Sequence, residues 1–134
     1  MPFTWTDDKY ATGVEEIDKQ HKRLFKLINE LEEAVEEPKS ESNTFKIKRI
    51  IVFLGSYTKS HFGYEEDCMF RNKCPLYKKN EDAHKKFIGF YKDIRKESEE
   101  KGISKELAKK LYDTSGNWLV NHIGKIDTHL RDCM

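Results

Sequence analysis

Apolar side chains recur along this chain at steps of three and four residues, in four blocks that turn residues separate. That spacing puts the apolar positions of each block on one face of a helix, and strand-type alternation is weak everywhere. Pro38, residues 72–75 and Gly102 close the first three blocks. Ser104 is expected to cap the fourth block, and Gly124 to mark its end. Short connections between long helices favour antiparallel neighbours, so the pattern predicts an all-α, antiparallel up-down-up-down four-helix bundle.

The residues before the first block predict an extended N-terminal arm. Thr12 and Glu15 have the spacing of a capping box, in which the two side chains would pair with the backbone at the start of the first helix. The sequence shows no internal repeat and no second domain. Residues 1–134 are therefore expected to form one domain.

Charge and composition narrow the classes of function. The 134 residues include 25 Lys and Arg against 24 Asp and Glu, so the net charge is +1 and no basic block marks a nucleic-acid site. No apolar run approaches the roughly 20 residues that a membrane span needs. An aromatic content of 12% is too high for a disordered chain. The chain is therefore expected to be a soluble protein without nucleic-acid or membrane partners.

The N-terminus and the cysteines predict the compartment. The first residues carry neither a basic start nor an apolar stretch, so no signal peptide is visible. Three cysteines are an odd number, which argues against a disulfide framework and favours a reducing, cytoplasmic location. Cys68 is expected to be a small buried hydrophobe that could pair with Cys74 only in an oxidising setting. Cys133 is expected to lie in a frayed tail.

Four of the five histidines lie on the apolar stripes, one in each predicted helix: His21, His61, His84 and His122. A single histidine there is usually a core imidazole that a backbone carbonyl satisfies. Two of these four lie near the starts of the first and third helices, and two near the ends of the second and fourth. In an up-down-up-down bundle those positions share one pole. The topology thus predicts a layer of four imidazoles, and it argues against a metal-free bundle whose histidines are incidental.

Two carboxylates accompany this layer. Glu65 follows His61 by four residues and therefore projects from the same helical face. Asp127 follows His122 by five residues, and a break at Gly124 would let the chain fold back and direct Asp127 inward. Four imidazoles and two carboxylates exceed the four ligands of zinc and differ from the oxygen shells of magnesium and calcium. The set fits two iron ions with carboxylate bridges, with manganese as an alternative.

In this ordered set the chain resembles the hemerythrin family of di-iron bundles, and within it the single-domain bacterial hemerythrins. The matching stretches are residues 5–10 with Gly13, residues 17–21, His61-Phe62-x-x-Glu65-Glu66-x-x-Met69, His84-x-x-Phe87, and Trp118-Leu119-x-x-His122-Ile123-x-x-x-Asp127. Each stretch is weakly specific by itself. The ordered set is specific, and it covers nearly the whole chain.

The resemblance implies two irons, each held by two imidazoles and bridged by two carboxylates and by an oxide or hydroxide. His21 and His61 would hold one iron, and His84 and His122 would hold the other. Glu65 and Asp127 would bridge the two irons. The resemblance further implies that dioxygen binds reversibly at an open position of one iron, in an apolar pocket. The side chains that match this pocket are Leu24, Phe62, Trp118 and Leu119.

One position departs from the family pattern. The family has His-x-x-x-His at the start of the third helix, where this chain has Asn80-x-x-x-His84. The amide oxygen of Asn80 could ligate weakly, a water could fill the position, or the iron could stay five-coordinate. Glu81 is a further candidate ligand because Glu-x-x-His is a spacing found in di-iron carboxylate proteins. Its side chain, however, would project about one residue away around the helix from the direction of the missing histidine.

The sequence favours an oxygen-binding module for storage, delivery or sensing of dioxygen, and a sensor would need a separate protein partner. The alternative is a di-iron enzyme that reduces peroxide, dioxygen or nitric oxide, which the missing fifth histidine favours. Catalysis needs electrons, and this chain shows no reductase domain, flavin motif or rubredoxin-like cysteine pair. Binding without catalysis is therefore the stronger prediction.

Overall fold

The computed structural model describes residues 3–38 and 40–133, and within them it contains helices and no strand. Four of the helices are long, and three short helical segments flank them. In chain order the elements are α1 (Asp7–Tyr10), α2 (Glu15–Val35), α3 (Glu41–Arg71), α4 (Tyr77–Lys101), α5 (Lys105–Lys125), a 3₁₀ turn (Asp127–His129) and α6 (Leu130–Cys133).

The four long helices form a closed ring of neighbours. Helix α2 packs against α3 and α5, and α4 packs against the same two helices. The connections between successive helices are residues 36–40, 72–76 and 102–104, which are too short to cross the bundle, so consecutive helices run antiparallel. The predicted all-helical four-helix bundle is confirmed. None of the helices in the described part of the chain has a stretch apolar enough to cross a membrane.

The apolar stripes read from the sequence are the buried faces of these helices. In α2, for example, Ile17, Leu24, Ile28 and Leu31 are at most 2% exposed, while the intervening Lys and Glu side chains face water. The core divides into a large cluster along the bundle and a smaller cluster at the pole where α3 turns into α4. The smaller cluster consists of Ile17, Cys68, Met69, Cys74, Ile126 and Leu130.

Helix ends follow the turn residues. The Ser104 side chain accepts a hydrogen bond of 3.0 Å from the backbone N–H of Leu107, which is the predicted cap of α5. Gly102 ends α4 with a φ of +78°, in the left-handed region that favours glycine. Helix α5 continues one residue past Gly124, to Lys125, before the chain turns into the segment that carries Asp127.

The N-terminal arm is held to α2 and includes one helical turn, α1. Phe3 exchanges two backbone hydrogen bonds of 2.8 Å with the side-chain amide of Asn29. The predicted capping box of Thr12 and Glu15 is wrong, because Thr12 does not cap the helix. Its backbone N–H and its hydroxyl both donate to the Asp18 carboxylate at 2.8 Å, and α2 begins at Glu15 without a side-chain cap.

The cysteines differ from the sequence expectation. Cys74 and Cys133 form a disulfide, with Cα atoms 5.4 Å apart. Cys133 therefore does not lie in a frayed tail, and Cys68 is not the partner of Cys74. Cys68 is buried, as expected. The sequence missed this disulfide for two reasons. An odd number of cysteines still allows one pair to form. The pair forms because α6 folds back against the α3–α4 turn, and residue spacing in the sequence cannot show that contact.

Candidate metal centre

Six polar side chains meet at one pole of the bundle, and none is more than 6% exposed. Each of the four long helices contributes one imidazole, since the starts of α2 and α4 lie beside the ends of α3 and α5. The carboxylates come from α3 and from the 3₁₀ turn. The six side chains are His21, His61, Glu65, His84, His122 and Asp127.

Glu65 is the centre of this cluster. One of its oxygens lies 3.0 Å from Nε2 of His21 and 3.5 Å from Nε2 of His61, and the other lies 3.2 Å from Nε2 of His84. The ligand atoms form two groups, each with all atoms within 4.8 Å of one another, and Glu65 belongs to both groups. One carboxylate thus faces two separate sets of imidazoles, which is the position of a bridging ligand.

Asp127 spans the same two groups from the other side. Its Oδ2 lies 3.2 Å from Nε2 of His21, and its Oδ1 lies 3.1 Å from Nε2 of His122. Neither oxygen has a hydrogen-bond partner among the residues that the structure describes, although both are fully buried. A buried carboxylate without aligned donors is costly. Cations between these atoms would satisfy both oxygens, so the donor set fits a pair of metal ions.

The imidazoles of the second group show the same convergence. Nε2 of His122 lies 3.1 Å from Nε2 of His84. A single proton could join these two nitrogens as an N–H···N bond, and a cation between them would instead bind the lone pairs of both. Stacking holds the imidazole rings in this orientation. The ring of Phe62 lies parallel to that of His84, with ring centroids 3.9 Å apart, and the ring of Trp118 lies nearly parallel to that of His122, with ring centroids 4.4 Å apart.

Burial and ion pairing oppose each other in this cluster. Burial lowers the pKa of His21 and of His84, but the carboxylates beside them outweigh it and raise each pKa to about 9. For His61 burial dominates and lowers the pKa to about 4. Burial alone would raise the pKa of Glu65, but hydrogen bonds from His21 and His84 hold it well below its usual value. The raised pKa values of His21 and His84 mean that a bound cation would have to displace protons from these imidazoles.

Two side chains that the sequence analysis did not assign orient the imidazoles. The outer nitrogen of His84, Nδ1, lies 2.9 Å from the Glu66 carboxylate, and Nδ1 of His61 pairs with the side-chain oxygen of Gln20. Each contact places the proton on Nδ1 and leaves the lone pair of Nε2 free for a metal. Both residues lie next to a candidate ligand in the chain, at positions 20 and 66, and that adjacency is the signal that could have found them.

Replacing Glu66 by alanine is expected to weaken metal binding by about tenfold, because His84 loses the acceptor that fixes its tautomer. Competition of the purified protein with a chelator measures this affinity. The matched control is Asp67→Ala, which removes the next carboxylate along α3, an exposed one that pairs only with Arg71 at the surface. Equal affinities for the two variants would contradict the orienting role of Glu66.

Comparison with known proteins agrees with this geometry. The sequence model of the hemerythrin HHE cation binding domain matches residues 12–132. The chain belongs to the hemerythrin family. The bacteriohemerythrin of Methylococcus capsulatus is 28% identical, over 98% of this chain and 96% of that protein, and the myohemerythrin of Sipunculus nudus is 26% identical, over 94% and 88%. A crystal structure of wild-type hemerythrin covers 99% of this chain and 98% of its own, with a TM-score of 0.79 and 25% identity. Membership of this family supports binding of iron and of oxygen.

Asn80 lies beside the six clustered side chains, at the position where the family resemblance led us to expect a fifth histidine. Its side chain is fully buried, and its amide nitrogen donates to Glu65 at 3.0 Å and to the sulfur of Met69 at 3.3 Å. Among the residues that the structure describes, its oxygen has no hydrogen-bond partner. The amide thus presents its nitrogen, and not its oxygen, to Glu65, so in this arrangement Asn80 positions the carboxylate.

Glu81, the other candidate substitute ligand, lies outside the cluster. Its carboxylate accepts from Tyr77 and pairs with Lys78, both at 3.1 Å, at the surface of α4. The one-residue difference in direction from Asn80 turns the side chain away from the pole. The structure therefore does not place Glu81 as a replacement for the missing imidazole.

The four predicted pocket residues line one cavity beside the candidate ligands. About 10 Å³ of the cavity is open to the centre of a water-sized molecule, which is close to the least space that one water needs. Phe62 and Trp118, which stack on His84 and His122, form its wall toward the candidate ligands. The complete lining is Leu24, Ile28, Leu54, Thr58, Phe62, Phe87, Ser115, Trp118 and Leu119. The lining is apolar apart from two hydroxyls, and that of Ser115 is buried without a hydrogen-bond partner.

Proposed function

We propose that this chain binds dioxygen reversibly at a carboxylate-bridged pair of iron ions at the pole of the bundle. The observation that carries the proposal is the position of Glu65, whose two oxygens face separate sets of imidazoles. Six mixed nitrogen and oxygen donors are more than one zinc ion takes, and they suit two iron ions. Family membership supports the same choice of metal.

Each iron would be held by two imidazoles. His21 and His61, which lie on α2 and α3, would hold one iron, and His84 and His122, which lie on α4 and α5, the other. Glu65 and Asp127 would bridge the pair, with an oxide or hydroxide as a third bridge. Two carboxylates at this point reduce the repulsion between two cations, which is strong in a dry core.

When bound, the iron pair supplies the electrons that bind dioxygen reversibly. The chain supplies the surroundings of that step. Leu24 and Leu119 present apolar side chains to the cavity, and Phe62 and Trp118 cover the imidazoles. We expect this apolar lining to favour a small neutral molecule over water and anions, which would slow irreversible oxidation of the centre.

One observation favours a second function, the reduction of peroxide, dioxygen or nitric oxide at the same centre. Asn80 is buried beside the cluster and donates to Glu65, so an iron held by His84 and His122 would have two imidazoles and no third. An iron with fewer protein ligands has a position that an exogenous ligand can take. A separate electron donor would then be required, as would a separate partner if the protein is a sensor.

Metal content and the response to oxygen together test the proposal. The protein is reconstituted with ferrous iron without oxygen, its iron is counted, and its visible spectrum is followed as oxygen is added and removed. We expect two irons per chain and a visible band that appears with oxygen and disappears without it. One metal ion per chain, or a visible spectrum that does not change with oxygen, contradicts the proposal. Irreversible conversion to a ferric form with consumption of peroxide supports the enzyme instead.

A further inference from the structure

The disulfide joins two segments that both lead to the metal centre. Cys74 lies in the turn between α3 and α4, six residues before Asn80, and Cys133 ends α6, six residues after Asp127. The two cysteines are 59 residues apart in the sequence. The bond therefore closes the pole of the bundle covalently, across the helices that contribute His84 and His122.

Asp127 depends on this closure more than the other candidate ligands do. The other five project from long helices, whereas Asp127 lies in a 3₁₀ turn of three residues after α5 has ended. The turn leads into α6, a helix of four residues that cannot be stable by itself. The position of the Asp127 carboxylate thus rests on whatever holds this last segment against the bundle.

Noncovalent contacts also hold the segment. Thr128 donates to the carbonyl of Gly124 at 2.9 Å, and the Arg131 side chain donates to backbone carbonyls of the N-terminal arm, in bonds that are exposed to water. Leu130 is fully buried in the small cluster at this pole, which also contains Ile126. Within the part of the chain that the structure describes, the disulfide is the only covalent cross-link from this segment to the bundle apart from the backbone itself.

The two sulfurs differ in access. Cys74 is 6% exposed and sits in the small cluster, where its backbone N–H donates to the carbonyl of Met69 at 2.9 Å. Cys133 is only half-buried, at the end of α6. An attacking thiolate therefore reaches Cys133 first. Disulfide exchange requires such access to one sulfur.

We propose that the Cys74–Cys133 disulfide is a thiol–disulfide exchange site whose reduction releases the Asp127 segment and loosens the metal pair. The metal part of this inference rests on the proposed function. A thiolate of a dithiol reductant attacks Sγ of Cys133, the S–S bond breaks, and Cys74 leaves as a thiolate. The second thiol of the reductant then displaces Cys133. The two electrons pass to the cysteines, which take up two protons, and the reductant becomes a disulfide. A small-molecule disulfide reverses the exchange.

Release of the segment has a definite structural consequence. Without the bond, the 3₁₀ turn and α6 can open locally while the four long helices stay packed. Each opening withdraws the Asp127 carboxylate from His21 and His122, which removes one bridge and lets water reach the centre. Metal retention then depends on the redox state of two cysteines that are not themselves ligands.

Amide hydrogen exchange of the metal-free, full-length protein tests the release directly. We expect residues 126–133 to exchange about tenfold faster after treatment with a dithiol, while the amides of α3 are unchanged. Cys133→Ser should exchange fast without treatment and should not respond to it. Cys68→Ala is the matched control, because it alters a buried cysteine of the same cluster and leaves the disulfide in place. Unchanged exchange of residues 126–133 after reduction would overturn the inference.

Iron release from the loaded protein tests the consequence for the metal. Transfer of iron to a chelator should be about tenfold faster for reduced wild type and for Cys133→Ser than for oxidised wild type, and Cys68→Ala should behave as wild type. Equal rates before and after reduction contradict the inference, as does loss of the response in Cys68→Ala. Failure of the oxidised wild type to hold iron pairs contradicts the proposed function instead, and it is seen before any reductant is added.

Discussion

A Glu65→Gln protein is expected to hold less than one iron per chain, against the two that we propose for the wild type, and to lose the expected oxygen-dependent visible band. The carboxylate of Glu65 lies within 3.5 Å of three imidazoles and is shared by both groups of candidate ligands. Glutamine keeps the shape but removes the charge, and its amide offers a donor where a metal needs a lone pair. Two cations would then face each other in a dry core with one bridging carboxylate fewer, and their repulsion would rise.

The loss of affinity should exceed the roughly 10–100-fold that removal of an orienting side chain costs, because Glu65 would be a ligand of both ions. Iron per chain and the visible spectrum measure the effect. Breaking a buried ion pair also costs about 3–5 kcal/mol of folding free energy, so circular dichroism must show that the variant is still helical. Asp67→Asn, two residues later on the exposed side of α3, is the matched control. Two irons per chain in Glu65→Gln would contradict a bridging role for this residue.

The fold was predictable because the helices of this protein are amphipathic over many turns. The apolar positions of α2, such as Leu24 and Ile28, repeat with helical spacing. Long apolar stripes of this kind are removed from water when the helices pack together with these faces inward. The convergence of the histidines followed from topology alone. Antiparallel helices bring the start of one helix beside the end of the next, so positions 21 and 61 meet although 40 residues separate them.

Features that depend on irregular backbone were not predictable. The sequence suggested that Thr12 would cap α2, but the chain before α2 turns so that Asp18 accepts from Thr12 instead. The disulfide was missed for the same reason. Whether Cys133 reaches Cys74 depends on the path of the 3₁₀ turn and α6, which no periodic pattern encodes. Asp127 was predicted because a break at Gly124 would let the chain fold back, and the family resemblance supported it; helical spacing alone would have turned the side chain away.

The side chain of Asn80 is where the structure narrows a question that the sequence left open. The sequence marked the position as a departure from the family, and it left open whether the amide, a water or nothing takes the place of the imidazole. The structure shows the amide nitrogen of Asn80 donating to Glu65. That contact argues against the amide oxygen as a ligand. A water, or no sixth ligand, then remains the prediction for an iron held by His84 and His122.

Asn80→His is expected to lengthen the lifetime of the oxygenated form by about tenfold or more, because a third imidazole would occupy the position at which exogenous ligands can enter. Position 80 lies one helical turn before His84 and on the same face, so its side chain points to the same pole. The larger ring must displace Met69, which is fully buried beside it, and this overpacking is expected to cost about 1–3 kcal/mol of folding free energy.

The lifetime is measured as the rate at which the oxygen-dependent band converts to the ferric spectrum in air. Asn80→Leu is the matched control, since it also replaces the amide by a larger side chain but adds no ligand. We expect Asn80→Leu to oxidise at least as fast as the wild type, because it removes the donor that holds Glu65. If Asn80→His oxidises at the wild-type rate, the position has no bearing on the choice between oxygen carriage and catalysis. If it alone is slow, the absence of an imidazole at position 80 is what makes the native centre reactive.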